Sequence, residues 1–584
     1  MKKNILLFLM FILSAGLNAQ SRYLWTGAVN NNWKNAGNWN LVDGVGISAG
    51  YPKDISCIAL FGTSPYGTST NVDCNIDGYY YPNGGLYVGG VEVNGYTGTI
   101  TQMPGNRFLI TDCPAMNGCA YNSDYKAVFN FGAGGKFVGS TLVNVAGSLN
   151  YQDNYTMAIG VKLEIISGDF YCPRKLLMEN SCDIAPGCFR GEGFDGSGCV
   201  VSFYPRPTVL MSTYFINANN VDFYDLQLYT GKYLDFGAGN MNITNDLITA
   251  GSSVMHINNG TFHIKNNIVI NSGDYSTYSL GTAHNPAGTA MLIMDGTIAQ
   301  KIIKNTTPAN ETSGPLGHVT INNSNGVSIT GRVNIAGSMT FVDGIITQQT
   351  PGAPDDVLIF DNPAVVIGAN DNSYSEAPVR KHIYSIPTAS FEFPIGKNGE
   401  YHPIIISAPT GGSGGYGSTN PAYYTQFTAE YFDTPTPYPT STATGTYAVH
   451  DCQYWTLQRN NKPGSNAKVS LTWNSNTCNN SYFATPSDLR VAQYDGSLWQ
   501  SRGVSGGIGS YSGGSKITEA TGAPITQFNG ALPTYFTFSL GTTPPPIFVT
   551  IPSFTNPTCN PGTDGTATAS VSGAIGMISY SWNS

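Results

Sequence analysis

His256 and His263 stand on either side of an Asn-Asn-Gly turn, a spacing that could set two imidazoles on neighbouring strands as metal ligands. Seven residues apart across that turn, they read rather as two solvent-facing side chains. Hydrolysis or elimination on a polysaccharide needs paired carboxylates about 5 to 9 Å apart, or acids holding calcium, with Arg or Lys to neutralise a uronate. The acids that could serve, Asp195, Asp274, Asp295 and Asp343, each adjoin a glycine, where Asp is chiefly a turn residue. Lys301 and Lys304 have the odd spacing that puts them on opposite faces of a strand. No H-E-x-x-H and no G-K-[ST] phosphate loop occurs, and Gly-rich runs such as GGSGGYGS lack the strand-to-helix context of a nucleotide cradle. No catalytic residue, metal or cofactor is therefore assigned.

Eleven cysteines read first as disulfides. Cys57, Cys74, Cys113, Cys119, Cys172, Cys182, Cys188 and Cys199 precede residue 200, and their connectivity stays open. Cys452 and Cys478 are the one pair that can be named, closing a loop worth about 3 kcal/mol in the chain-entropy model. The tight C-x-x-C spacing of a metal site is absent.

These residues must be positioned by strands. Only 11% of the chain is charged, 69 residues are Gly, and Asn, Thr and Ser tracts leave almost no stretch that favours helix, so the fold class is all-β. Residues 1–19 read as a signal peptide: Lys2 and Lys3, an apolar run from Ile5 to Leu13, and small residues before Gln20. That run is too short to span a membrane, and none that follows is better. Its removal deletes two lysines and no acid, taking the formal charge from −9 to −11, a balance unsuited to nucleic acid.

Residues 20–54 form a Trp-rich cap, WTGAVNNNWKNAGNWN, in which Trp25, Trp33 and Trp39 either nucleate a core or offer a platform on which a glycan could stack. From 55 to 350, apolar pairs at period two alternate with Gly/Asn turns. HVTINNSNGVSITGRVNIAGSMTFVDGIITQ puts Val319, Ile321, Val327, Ile329, Val333, Ile335, Met339, Phe341 and Ile345 on one face. Strands this short are stable when stacked coil on coil, which predicts a right-handed parallel β-helix-like solenoid, with Asn side chains bonded between coils. After the TPGAPDD break, longer strands at 351–541 predict a β-sandwich, with turns at Lys397-Asn398-Gly399 and Asp495-Gly496. Residues 542–557 read as a Pro-rich linker, and 558–584 as the start of a small β repeat.

Three resemblances add to this. The Trp motif resembles the opening of secreted bacterial β-helix passenger and surface proteins. FPIGK, YWTL, VSLTW, LRVAQYDG and FSLG, across residues 376–541, resemble a domain of large surface proteins exported by the type IX secretion system of gliding bacteria. The tail TCNPGTDGTATASVSGAIGMISYSW is similar to the SprB repeat at Cys559, Asp564, Gly565, Gly573, Tyr580 and Trp582, departing from it at Ala574 and at Met577-Ile578-Ser579. The resemblance implies a secreted cell-surface adhesin or gliding-motility protein that binds polysaccharide or another surface, with secretion and outer-membrane motility machinery as partners. It also implies a repeat continuing past Ser584, so that the last 27 residues would be poorly ordered alone. Two rival expectations are a β-helix polysaccharide lyase or glycoside hydrolase with an appended β-sandwich, and a purely structural surface-layer component.

Overall fold

In the computed structural model the described residues run from 20 to 579. The description leaves out 80–84, 111–127, 134–135, 140–155, 204–212, 230–232, 251–256, 272–288, 306–314, 363, 384–389, 408, 410–423, 444–445, 447, 462–466, 474–488, 503–507, 512–513, 519–533, 543–547, 557, 559–564 and 573–577. The signal-peptide reading, His256 and Asp274 lie outside them, as do Cys113, Cys119, Cys478, Cys559, Asp564, Gly573, Tyr580 and Trp582. The described elements are strands, apart from one short 3-10 turn at Ala36–Asn38. The chain is all-β, as its composition predicts.

It divides into two compact units, residues 1–368 and 369–584. In the first, apart from the antiparallel pairs of Ser21–Trp25 with Trp39–Asp43 and of Cys57–Ser64 with Gly67–Thr68 near its start, successive described strands do not pair with each other. Leu316–Asn322 pairs in parallel with Met291–Met294 before it and Arg332–Asp343 after it, while Val327–Thr330, next in sequence, pairs with Gln300–Lys304 and Ile346–Gln348. Each of these strands thus bonds to the strand one circuit away, and apolar residues at period two all point into one column. Val319, Ile321, Val327, Ile329, Val333, Ile335, Met339 and Phe341 are buried. At the end of the run Ile346 is buried where the alternation pointed to Ile345. The phase slips at Gly344, which turns at φ 100° so close to Asn323 O that a Cβ would sit 1.9 Å from it.

Two side-chain series run along the stack. Inside, Phe108, Phe137, Phe170, Phe189 and Phe223 follow one another at centroid distances of 6.5, 4.8, 5.8 and 5.5 Å, because Phe137, Phe170 and Phe189 are register partners on adjacent coils. Outside, Asn amides bridge coils: Asn245 Nδ2 donates to Asp225 (2.7 Å), Asn266 Nδ2 to Asn245 Oδ1 (3.0 Å), and Asn305 Nδ2 to Asn271 Oδ1 (2.8 Å). The expected inter-coil Asn bonds are present. Strands Val357–Phe360 and Val365–Ile367 also pair in parallel with Arg332–Asp343, so the break at residue 350 in the sequence does not coincide with the unit boundary after Gly368.

The second unit is antiparallel. One series links Val379–Ile383, Thr425–Phe432, Tyr454–Arg459, Thr534–Thr542, Leu489–Tyr494 and Trp499–Ser501, and another links Ser390–Glu392, Ile404–Ser407, Lys468–Trp473, Gly514–Thr518 and Ile508–Tyr511. The hairpin Gly396–Lys397 to Glu400–Tyr401 turns through Asn398 and Gly399, whose φ values of 51° and 85° make the two-residue turn that an Asn-Gly pair favours.

Candidate functional site

The three N-terminal indoles do not form a glycan platform. Trp25, Trp33 and Trp39 are at most 5% exposed, with centroids 4.9 and 4.8 Å apart and all three packed on Phe61. Each indole N–H is taken up by a backbone carbonyl: Trp25 by Val72 O, Trp33 by Pro52 O and Trp39 by Trp33 O. A ring with no solvent-facing surface cannot stack on a sugar, and these three fill the core at the start of the coil stack.

An exposed aromatic face occurs instead on the outside of the sheet Cys74–Ile76, Thr99–Gln102, Lys136–Val138, Asp169–Tyr171 and Phe189–Arg190. Strand alternation sends Ile100, Phe137, Phe170 and Phe189 inward. The same alternation leaves Thr99, Thr101, Lys136, Asp169, Tyr171 and Arg190 on the outer face. Above them the loop Gly191–Gly198 carries Phe194, 54% exposed, with its ring edge-on to Tyr171 at 5.4 Å. The Lys136 ammonium stands 4.7 Å from the Phe194 ring centre and 5.0 Å from that of Tyr171. Arg190 is bound to Asp169 at 2.9 Å, whereas Lys136 has no carboxylate partner among the described residues.

This loop is held firmly. A disulfide joins Cys172, next to Tyr171, to Cys199, next to Gly198. The Arg174 guanidinium donates to the Ser197 and Gly198 carbonyls, Gly198 N donates to Glu192 O at 3.0 Å, and Asp195 accepts from Ser197 N at 3.1 Å. Hydrogen bonding by the Ser197 side chain first, and then by the Ser197 amide, holds the Asp195 carboxyl below its usual range, in the turn role its neighbouring glycine predicts. Neither Phe194 nor Lys136 stood out in the sequence. The available signal was a bulky apolar residue in a Gly-rich loop between two cysteines.

Two of the acids and histidines singled out above meet elsewhere on the first unit. His263 Nδ1 lies 2.8 Å from Asp295 Oδ2, which also binds Lys265 Nζ at 2.9 Å, across the paired strands Thr261–Ile264 and Met291–Met294. Lys301 is exposed and Lys304 buried, on opposite faces as expected. Among the described residues no group of three His, Cys, Asp or Glu is arranged to hold a metal. In the second unit Tyr438 stacks on Tyr494 at 4.3 Å, and Phe432 on Tyr454 at 4.6 Å.

The cysteines correct the disulfide expectation in part. Cys57, Cys74, Cys182 and Cys188 are free thiols, the first three buried as small apolar side chains of the stack. Burial pushes the Cys74 and Cys182 thiols well above their usual range. Cys452 is disulfide-bonded, and its expected partner Cys478 lies outside the described residues.

Near the C-terminus, Phe548–Thr555 pairs antiparallel with Thr566–Ser572. Half of the stretch read as a linker is thus a strand, and Phe548, Val549, Ile551 and Phe554 on it are exposed. Gly565 precedes the second strand, on which Ala569 and Val571 are partly covered, while Ile578 lies outside any described strand. Residues 552–584 match the family model of the SprB repeat. This chain carries a SprB repeat. The SprB match begins within the first strand of the hairpin, ahead of Thr558 where the sequence reading starts the repeat. The SprB repeat associates the chain with cell-surface, gliding-motility-related proteins and with a surface location. No curated protein and no solved structure matches the chain. Among the described residues no helix is long and apolar enough to cross a membrane.

Proposed function

We propose that this is a non-enzymatic cell-surface adhesin that contacts polysaccharide through the Phe194 face of its first unit. The observation that carries the reading is a large ring held out in water by a disulfide-closed loop. An exposed Phe is ordinarily a cost in solubility, and fixing it in place removes the ordering entropy that a sugar would otherwise have to offset on binding. The SprB repeat supports the surface setting, and type IX export with its outer-membrane machinery belongs to the same reading.

Retention of the full chain on insoluble polysaccharides tests it. Phe194→Ala should weaken retention by about tenfold, the scale of losing one anchoring aromatic, with little change in melting. Retention equal to wild type would remove Phe194 from the reading. A second reading, a carbohydrate-active enzyme, draws on the His263–Asp295 pair, since a carboxylate on Nδ1 orients an imidazole for proton transfer at Nε2. Release of reducing or unsaturated sugars from pectin or alginate, abolished in Asp295→Asn, would replace the adhesin reading. No turnover is the expected result.

A further inference from the structure

We infer that the Phe194 face selects acidic polysaccharides, with Lys136 as the residue that reads the acid. The inference rests on the glycan-binding reading above and adds the ligand's charge. Lys136 is held between two aromatic rings, at 4.7 Å from Phe194 and 5.0 Å from Tyr171, and has no carboxylate partner among the described residues. A cation positioned by ring faces keeps its charge without a counter-ion, so its remaining donors are open to an anion from outside. Its neighbours are already committed. Arg190 and Asp169 bind each other through both Nε and Nη2 of the arginine, and Asp195 caps the turn at Ser197.

The surroundings fit a sugar acid better than a small free anion. Tyr171 and Phe194 offer apolar surface next to the ammonium, suited to the C–H face of a pyranose whose carboxylate or sulfate meets Lys136. Thr99 pairs with Lys136 in register on the preceding coil, and Thr101 lies two residues further along the same outer face. Coils about 4.8 Å apart step at close to the length of one pyranose, so a chain crossing the strands meets a fresh set of side chains at each residue. The molecule as a whole is negative, at −9, so attraction to an acidic polymer must come from this local cation and will be weakened by salt.

Affinity electrophoresis of the full chain in gels containing polygalacturonate, dextran sulfate or neutral dextran tests the inference, with Lys136→Met, Lys136→Arg and Phe194→Ala beside wild type. Retardation by an acidic polymer and not by dextran is expected. It should fall by about tenfold in Lys136→Met, the scale of one charge-assisted hydrogen bond, survive in Lys136→Arg, and decline with added NaCl. The two acidic polymers separate a carboxylate from a sulfate ligand. Equal retardation by dextran, lost in Phe194→Ala and unchanged in Lys136→Met, would overturn acid selection and leave the adhesin reading standing. No retardation by any polymer, with Phe194→Ala identical to wild type, would overturn both. Should Lys136→Met melt early, Lys136→Gln gives the same comparison with a polar tip in place.

Discussion

Residue identity matters here through exposure. Trp33 and Phe194 are both aromatic, and the structure gives them opposite tasks. Trp33 is fully buried, packs on Trp39, Phe61 and Phe108, and donates its indole N–H to Pro52 O at 2.7 Å. Trp33→Ala should cost about 3 to 5 kcal/mol in urea denaturation, from the lost burial and the cavity left behind. A cost below about 1 kcal/mol would mean that the cap is not part of the cooperative core. The sequence showed that three Trp lie close together, and it could not show which way they face. Facing is set by the antiparallel pairing of Ser21–Trp25 with Trp39–Asp43 and the parallel pairing of the former with Cys57–Ser64, both long-range choices.

Short strands with period-two apolar residues were legible because every coil repeats the same local rule, as in Val327–Thr330 and Ile346–Gln348. The Asn398-Gly399 turn was legible for a similar reason, since few residues tolerate its two positive φ values. The loop Gly191–Gly198 was not, because its order comes from partners distant in sequence. The Cys172–Cys199 bridge, with a separation of 27, should contribute about 3.5 kcal/mol in the chain-entropy model. The double variant Cys172→Ala/Cys199→Ala should therefore melt earlier and lose polysaccharide retention together. Loss of retention with unchanged melting would show that the bridge serves only the loop. Unchanged retention would show that Arg174 and the turn bonds suffice to hold Phe194.

For the molecule as a whole, acid sensitivity should arise in the second unit. His402 and His450 are buried there, His402 ringed by Tyr431 and Trp455 with Glu400 on its Nε2, and His450 beside Cys452. Burial disfavours their charged forms, lowering His402 and taking His450 down from 6.5 to about 4. The unfolded chain binds these protons more readily than the folded one, so the stability is complete above about pH 6.5 and is lost as pH falls towards 4. For His450 this amounts to about 3 kcal/mol. Asp495, held at about 2 by the bonds of its turn, extends the loss below pH 4, while Glu430, raised by burial, works in the opposite sense. Thermal melts from pH 7 to pH 4 should show a transition moving to lower temperature, and His450→Gln should reduce that movement. A melting temperature independent of pH over this interval would contradict the assignment.

The sequence by itself determined what local rules can write: an all-β chain, strands of a few residues punctuated by Gly and Asn, a change of texture in mid-chain, and a SprB-like tail. Strand length and alternation depend on neighbours one to four residues away, so they survive in a linear reading. Tertiary structure alone decided that the tryptophans are core, that Cys172 pairs with Cys199 while Cys57, Cys74 and Cys182 remain buried thiols, that His263 meets Asp295, and that Lys136 stands between Tyr171 and Phe194. Each of these depends on which coil stacks on which. That register is set by the burial of the whole apolar column, a sum over many strands to which no single stretch of sequence holds the key.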